Sequence, residues 1–162
     1  MVELRGRIRT FGDKSILPEL QTNHVRMTLD SVLTSVETVE GLAEQFALRA
    51  GFDEDTSSQI AMVSREATVN AVLHGNKKDP AKYVRASFEL TEERLTIQIA
   101  DEGAGFDPEG LCDPLAPENI MRPCGRGVFL MKAIMDEVNF RQLSPGTEIT
   151  MAKQRAHKER GA

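Results

Sequence analysis

Two runs of strict apolar/polar alternation, joined by a three-residue polar link, commit this chain to a sheet with one buried face. In Tyr83–Leu90 the even positions Val84, Ala86, Phe88 and Leu90 are apolar. In Arg94–Ala100 the odd positions Leu95, Ile97 and Ile99 are, and Thr91, Glu92 and Glu93 lie between the runs. Period two is strand geometry, and two such runs around a short turn read as an antiparallel pair. His24–Asp30 repeats the pattern with Val25, Met27 and Leu29. Val138–Leu143 and Thr147–Lys153, around Ser144-Pro145-Gly146, complete the set. Between them fall stretches of helical period: Thr34–Ala50 closed by Gly51, Asp55–His74 with Gly75 as its stop, and a third from about Gly127 to Asp136. Helices that must cover one apolar sheet face give an α+β, two-layer α/β sandwich: a mixed, mostly antiparallel sheet with three main helices on one face. Residues 1–22 are polar and are expected to be a loose extension, 154–162 a frayed tail, and 23–153 a single domain.

The strand Leu95–Ala100 ends on a charge. Asp101 continues the apolar parity of Leu95, Ile97 and Ile99, so the alternation aims its carboxylate at the buried side. Burying even a neutral polar group there without a partner costs roughly 2–7 kcal/mol, so an acid in that place binds something. Gly103 and Gly105 follow at once and let a ligand approach the backbone closely. Thr147 shares parity with Ile149 and Met151, which puts a hydroxyl at the end of a second apolar strand face. Two strands ending in inward polar groups indicate a pocket at one end of the sheet, although Thr is also common in strands for its β-branching alone.

Two helical segments add the remaining polar groups. Glu66, Asn70 and His74 stand at i, i+4 and i+8 of the second helix, on one stripe among apolar neighbours. Taken singly, Glu66 would be an ordinary solvated helix acid. His74, next to Gly75, reads as a helix C-terminal residue stabilised by the dipole and is not assigned chemistry. In the third segment Gly125 and Gly127 flank Arg126 and lead into an apolar helix. Unpaired N–H groups at such a start, the positive dipole end and an Arg suit phosphate oxygens. The spacing fits neither a Walker loop nor the GxGxxG fingerprint, and Arg126 could equally be a plain surface base. Met131 and Met135 are read as core filler.

Composition removes several classes. A net charge of −5, with both signs spread along 162 residues and no basic stripe, argues against nucleic acid as the main partner. No apolar run approaches the ~20 residues of a membrane span, and the start lacks a signal peptide's apolar core. Cys112 and Cys124 show no metal-ligand spacing, and reduced thiols in a cytoplasmic protein are expected. They sit in 106–124, whose four prolines and weak periodicity read as a lid loop.

In order and separation, the segments around Glu66–Pro80, Leu95–Phe106 and Cys124–Val138 resemble the N, G1 and G2 boxes of the GHKL superfamily, whose ATP site is the Bergerat fold. NAVLHGNKKDP with GRGVFLMKAIMDEV is most similar to the RsbW-type anti-sigma-factor serine-protein kinases, over about Val25–Lys153. The resemblance implies ATP and Mg²⁺ as cofactors, Glu66 as catalytic general base, and Asn70 as the metal ligand. It implies Asp101 as acceptor for the adenine amino group with Gly103 and Gly105 beside it, Gly125, Arg126 and Gly127 around the phosphates, and Thr147 near adenine. It further implies phosphorylation of a STAS-domain antagonist, sequestration of a sigma factor and a homodimer. Val128 and Phe129 depart from the GxGxG form of the third box, which leaves the lid's closing geometry open. A non-catalytic ATP-dependent switch module of the same fold is the alternative. Without a phosphoacceptor or sensor region, a complete two-component kinase is not expected.

Overall fold

The structure, a computed structural model, describes residues 2–5, 22–105 and 125–156. Six strands form one sheet: β1 (Val2–Arg5), β2 (His24–Asp30), β3 (Tyr83–Leu90), β4 (Arg94–Ala100), β5 (Glu137–Leu143) and β6 (Gly146–Gln154). Their spatial order is β1-β2-β3-β4-β6-β5, with every neighbouring pair antiparallel except β1 and β2. Against it pack α1 (Leu33–Ala50), α2 (Glu54–Asn70), a π-helical turn over Ala71–Gly75 that continues α2, and α3 (Arg126–Ile134). This is the two-layer α+β architecture that the alternation demands.

Register turns the alternation into a core. Val25, Phe88, Ile97, Met151 and Val138 line up across five strands as one apolar row, and Met27, Ala86, Ile99, Ile149 and Phe140 make a second. α1 lays Val39, Leu42, Ala43, Phe46 and Ala47 on this face, all essentially inaccessible to water. The Phe46 and Phe88 rings stack with centroids 5.4 Å apart. Met131 and Met135 are buried in the same core, as expected of filler.

The two long helices meet through capping chemistry. Gly51 takes φ 91° after α1, its N–H bonds to Leu48 O, and the Phe52 N–H bonds to Ala47 O, a Schellman stop. Two residues on, Asp53 caps α2 by accepting the Thr56 N–H at 2.7 Å. That bond holds the Asp53 carboxyl below its ordinary pKa.

Three features depart from expectation. Val2–Arg5, inside the segment expected to be a loose extension, pairs in parallel with Val25–Thr28 as an edge strand. Edge pairing is made by backbone groups and leaves little trace in a polar sequence. At the other end β6 runs to Gln154, and Arg155, expected to fray, makes three bonds. Its N–H donates to Glu93 O at 2.8 Å, its Nε to Ala50 O at 2.8 Å and a terminal nitrogen to Thr91 O at 2.7 Å. One guanidinium thus ties the end of α1 to the β3–β4 turn. The third helix starts at Arg126 and ends at Ile134, and Asp136 instead accepts from Gln154 N and Lys153 Nζ. The loop 106–124 with Cys112 and Cys124 lies outside the described residues. Among those described, no helix is long and apolar enough to cross a membrane.

Replacing the buried ring at the centre of this core should be felt globally. Phe46→Ala is expected to cost about 3–5 kcal/mol, read as a lower urea midpoint at unchanged slope.

Candidate functional site

A cavity of about 300 Å³ opens where the ends of β4 and β6 meet α2 and α3. Its apolar part is the second apolar row of the sheet, Ile99, Ile149 and Phe140, together with Ala67 of α2, Ala71 of the π turn and Val128 of α3. Seven of the nine residues singled out by sequence line it: Glu66, Asn70, Asp101, Gly105, Gly125, Gly127 and Thr147. Gly103 is buried just behind it, and Arg126 is exposed as the first residue of α3.

Asp101 sits where its parity places it. The β4–β6 ladder, whose last pair is Ala100 and Glu148, is extended by the Asp101 N–H donating to Thr147 O at 3.0 Å. The carboxylate is 8 % exposed. Its Oδ1 accepts the Gly103 N–H at 2.8 Å and the Thr147 N–H at 3.3 Å. Burial raises the Asp101 pKa above the ordinary carboxylate value, and the two backbone donors with Lys82 and Arg85 pull the other way. Both backbone bonds fall on Oδ1. Beside it the Thr147 Oγ1 is buried with no hydrogen-bond partner among the described residues. An acceptor and an unsatisfied hydroxyl therefore meet at the polar end of an otherwise apolar slot.

α2 supplies the opposite wall. Glu66 and Asn70 are half-buried, one turn apart on the cavity side. Beyond Asn70 the helix widens: the Asn76 N–H bonds to Ala71 O, five residues back, at 2.8 Å. Single π turns inside α-helices recur at functional sites. This one keeps His74 on the cavity wall and carries the backbone directly over Asp101. A Cβ on Gly75 would lie 2.6 Å from Asp101 Oδ2. Sequence reasoning took Gly75 for a helix stop, but the glycine also makes room for the buried acid.

α3 closes the other side. Gly125, at φ 73°, precedes it without a side-chain cap, and the first bond of the helix runs from Phe129 N to Gly125 O. The N–H groups of the first turn have no acceptor within the helix, which makes this end attractive to anions. Gly127 packs on Glu66: an added Cβ would stand 2.5 Å from Glu66 Oε1. The acid and the anion-seeking helix start are thus in direct contact. Sequence reasoning missed Phe140 and the two isoleucines as lining residues, although parity with Thr147 and Asp101 marks Ile149 and Ile99.

A carboxylate at a strand end, an acid and an amide on the helix above it, and a helix start beside that acid are the parts of an ATPase module rather than of a purely structural sandwich. Residues 29–153 match the family model of the histidine kinase-like ATPase domain, so the chain belongs to that family. It is an RsbW-type member. It is 33% identical over 123 residues to the serine-protein kinase RsbW of Bacillus licheniformis, spanning 72% of this chain and 73% of the relative. To RsbW of Staphylococcus epidermidis it is 38% identical over 111 residues, spanning 64% and 68%. The fold is similar to the crystal structure of the RsbU and RsbW domains of a Mycobacterium tuberculosis protein. That match has a TM-score of 0.56 at 20% identity and covers 83% of this chain and 34% of that one.

The buried acid sets a measurable trade. A carboxyl whose folded pKa lies above its unfolded value stabilises the fold when protonated, and that stability is lost as pH rises through the unfolded and then the folded pKa. At neutral pH the ionised Asp101 is therefore a net cost to the empty protein. Asp101→Asn keeps an oxygen for the Gly103 and Thr147 N–H groups without the charge. Its thermal midpoint at pH 7 should equal or exceed that of the wild type, and the gap should close toward pH 4. A midpoint several degrees lower at pH 7 would contradict this account.

Proposed function

We propose that this chain is an ATP-dependent protein-serine/threonine kinase of the anti-sigma-factor type. Its substrate is a hydroxyl of a STAS-domain antagonist, and it also holds a sigma factor. The observation that carries the reading is the cavity itself, which gathers Glu66, Asn70, Asp101, Gly127 and Thr147 around one apolar slot. The RsbW-type relatives support the serine-kinase activity, and the resemblance to that group supports the two protein partners.

The residues fit a magnesium nucleotide. Asp101 accepts at a position where adenine presents an amino group and guanine would present an oxygen, and the unpartnered Thr147 hydroxyl lies beside it. Ile99, Ile149 and Phe140 offer the base an apolar surface. The α3 start, from Gly125 through Arg126 to Gly127, faces the phosphates with N–H groups. Asn70 would offer one amide oxygen to Mg²⁺, an ion that needs few protein ligands and would supply charge neutralisation at the phosphates. Gly103 and Gly105 shape the loop after Asp101, with Gly105 at φ 105°.

In the transfer the substrate hydroxyl oxygen bonds to the γ-phosphorus, the bond to the β–γ bridging oxygen breaks, and ADP leaves. Glu66 takes the hydroxyl proton. Its contact with Gly127, at the helix start read as the phosphate end of the slot, supports that role.

Two measurements test this. MgATP at 100 times its dissociation constant should stabilise the protein by about 2.7 kcal/mol, seen as a raised thermal midpoint that MgGTP does not produce. Glu66→Gln should keep that shift and lose about 10²–10⁴-fold in phosphotransfer to a STAS-domain protein. Absence of the ATP shift would remove the nucleotide, and undiminished transfer in Glu66→Gln would remove Glu66 as base.

A further inference from the structure

Asn76 follows the π turn within the Glu66–Pro80 segment and is completely buried, and it is not among the residues that line the cavity. Both N–H donors and the carbonyl oxygen of its side-chain amide are engaged. Nδ2 donates to Ser31 Oγ at 3.1 Å and to Tyr83 O at 2.9 Å, and Oδ1 accepts the Glu102 N–H at 2.8 Å. The orientation is forced, because Glu102 N–H can only donate and Tyr83 O can only accept. Glu102 in turn accepts the Tyr83 N–H on its Oε2 at 3.0 Å, so the two side chains share both polar groups of one residue.

The Glu102 N–H belongs to the Asp101–Glu102 peptide, which lies between Asp101 and the Gly103 N–H. Asp101 Oδ1 accepts from Gly103 N, two residues on, only while that intervening peptide keeps its orientation. We propose that Asn76 is a positioning residue for nucleotide selection: it clamps the Asp101–Glu102 peptide and so aims the carboxylate that reads the 6-amino group of adenine. This rests on the adenine-nucleotide reading above. It links the end of α2, the start of β3 and the β2–α1 loop to the choice of base.

The test compares ATP with the triphosphate of unsubstituted purine riboside, which lacks the 6-amino group and adds no repulsive oxygen. Binding is measured by calorimetry with Mg²⁺. The wild type should prefer ATP by about tenfold or more, the worth of a hydrogen bond to a charged acceptor. Asn76→Ala should weaken ATP toward the affinity of the purine analogue while leaving the analogue nearly unchanged. Ser31→Ala, which removes one acceptor but leaves the Glu102 bond, should lower the thermal midpoint and keep the preference. A preserved preference in Asn76→Ala, or an equal loss for both nucleotides, overturns the positioning role while leaving the nucleotide reading standing. If Asn76→Ala does not fold, Asn76→Ser decides by the same ratio. In the wild type the Glu102 amide should exchange slowly with solvent, and fast exchange overturns the clamp without any variant. Failure of the wild type to bind ATP overturns both readings.

Discussion

Burying one carboxylate organises the whole ligand end of this molecule. Asp101 loses most of its water and regains only part of that stabilisation from two backbone N–H groups on a single oxygen. To hold it, the pairing with β6 must continue one residue past the end of β4, and the backbone of the π turn must pass directly above. The glycine at 75 and the widened helical turn both serve that passage.

The loop that follows is held in an unfavourable conformation. Lys77 and Lys78 have φ of 53° and 58°, a region that costs an L-residue about 1–2 kcal/mol each. Neither has the short polar side chain that eases such a conformation. Surrounding bonds over-determine it: the Lys78 N–H donates to Val72 O at 2.9 Å, and Asn76 is fixed from three sides. Strain of this sort persists where a neighbouring site requires the exact path of the chain.

How much of this could be read from the residues alone follows from what leaves a periodic mark. β2, β3 and β4 match their alternation to the residue, because one face is buried and a slip would invert every side chain. Asp101 and Thr147 were legible by the same parity, and Glu66 and Asn70 by helical spacing. β1 was not, since edge pairing needs no apolar pattern. The π turn was not either, because Ala71–Gly75 carries the composition of any helix end. Asn76 and Arg155 act through hydrogen bonds to residues distant in sequence, and no local pattern announces those. The grouping of Glu66 with Gly127 also depends on how α3 docks on α2, a tertiary fact.

Gly127 and Gly75 bear on how copies of this chain can diverge. Most residues on the sheet's outer face are polar, from Arg26 and Arg85 to Gln98 and Thr150. At the two glycine positions any side chain meets a carboxylate that lines the cavity, Glu66 at one and Asp101 at the other. Neither contact lies in the core formed by Phe46 and Phe88. A side chain at either position would therefore press on a carboxylate of the cavity wall while leaving the Phe46–Phe88 stack untouched.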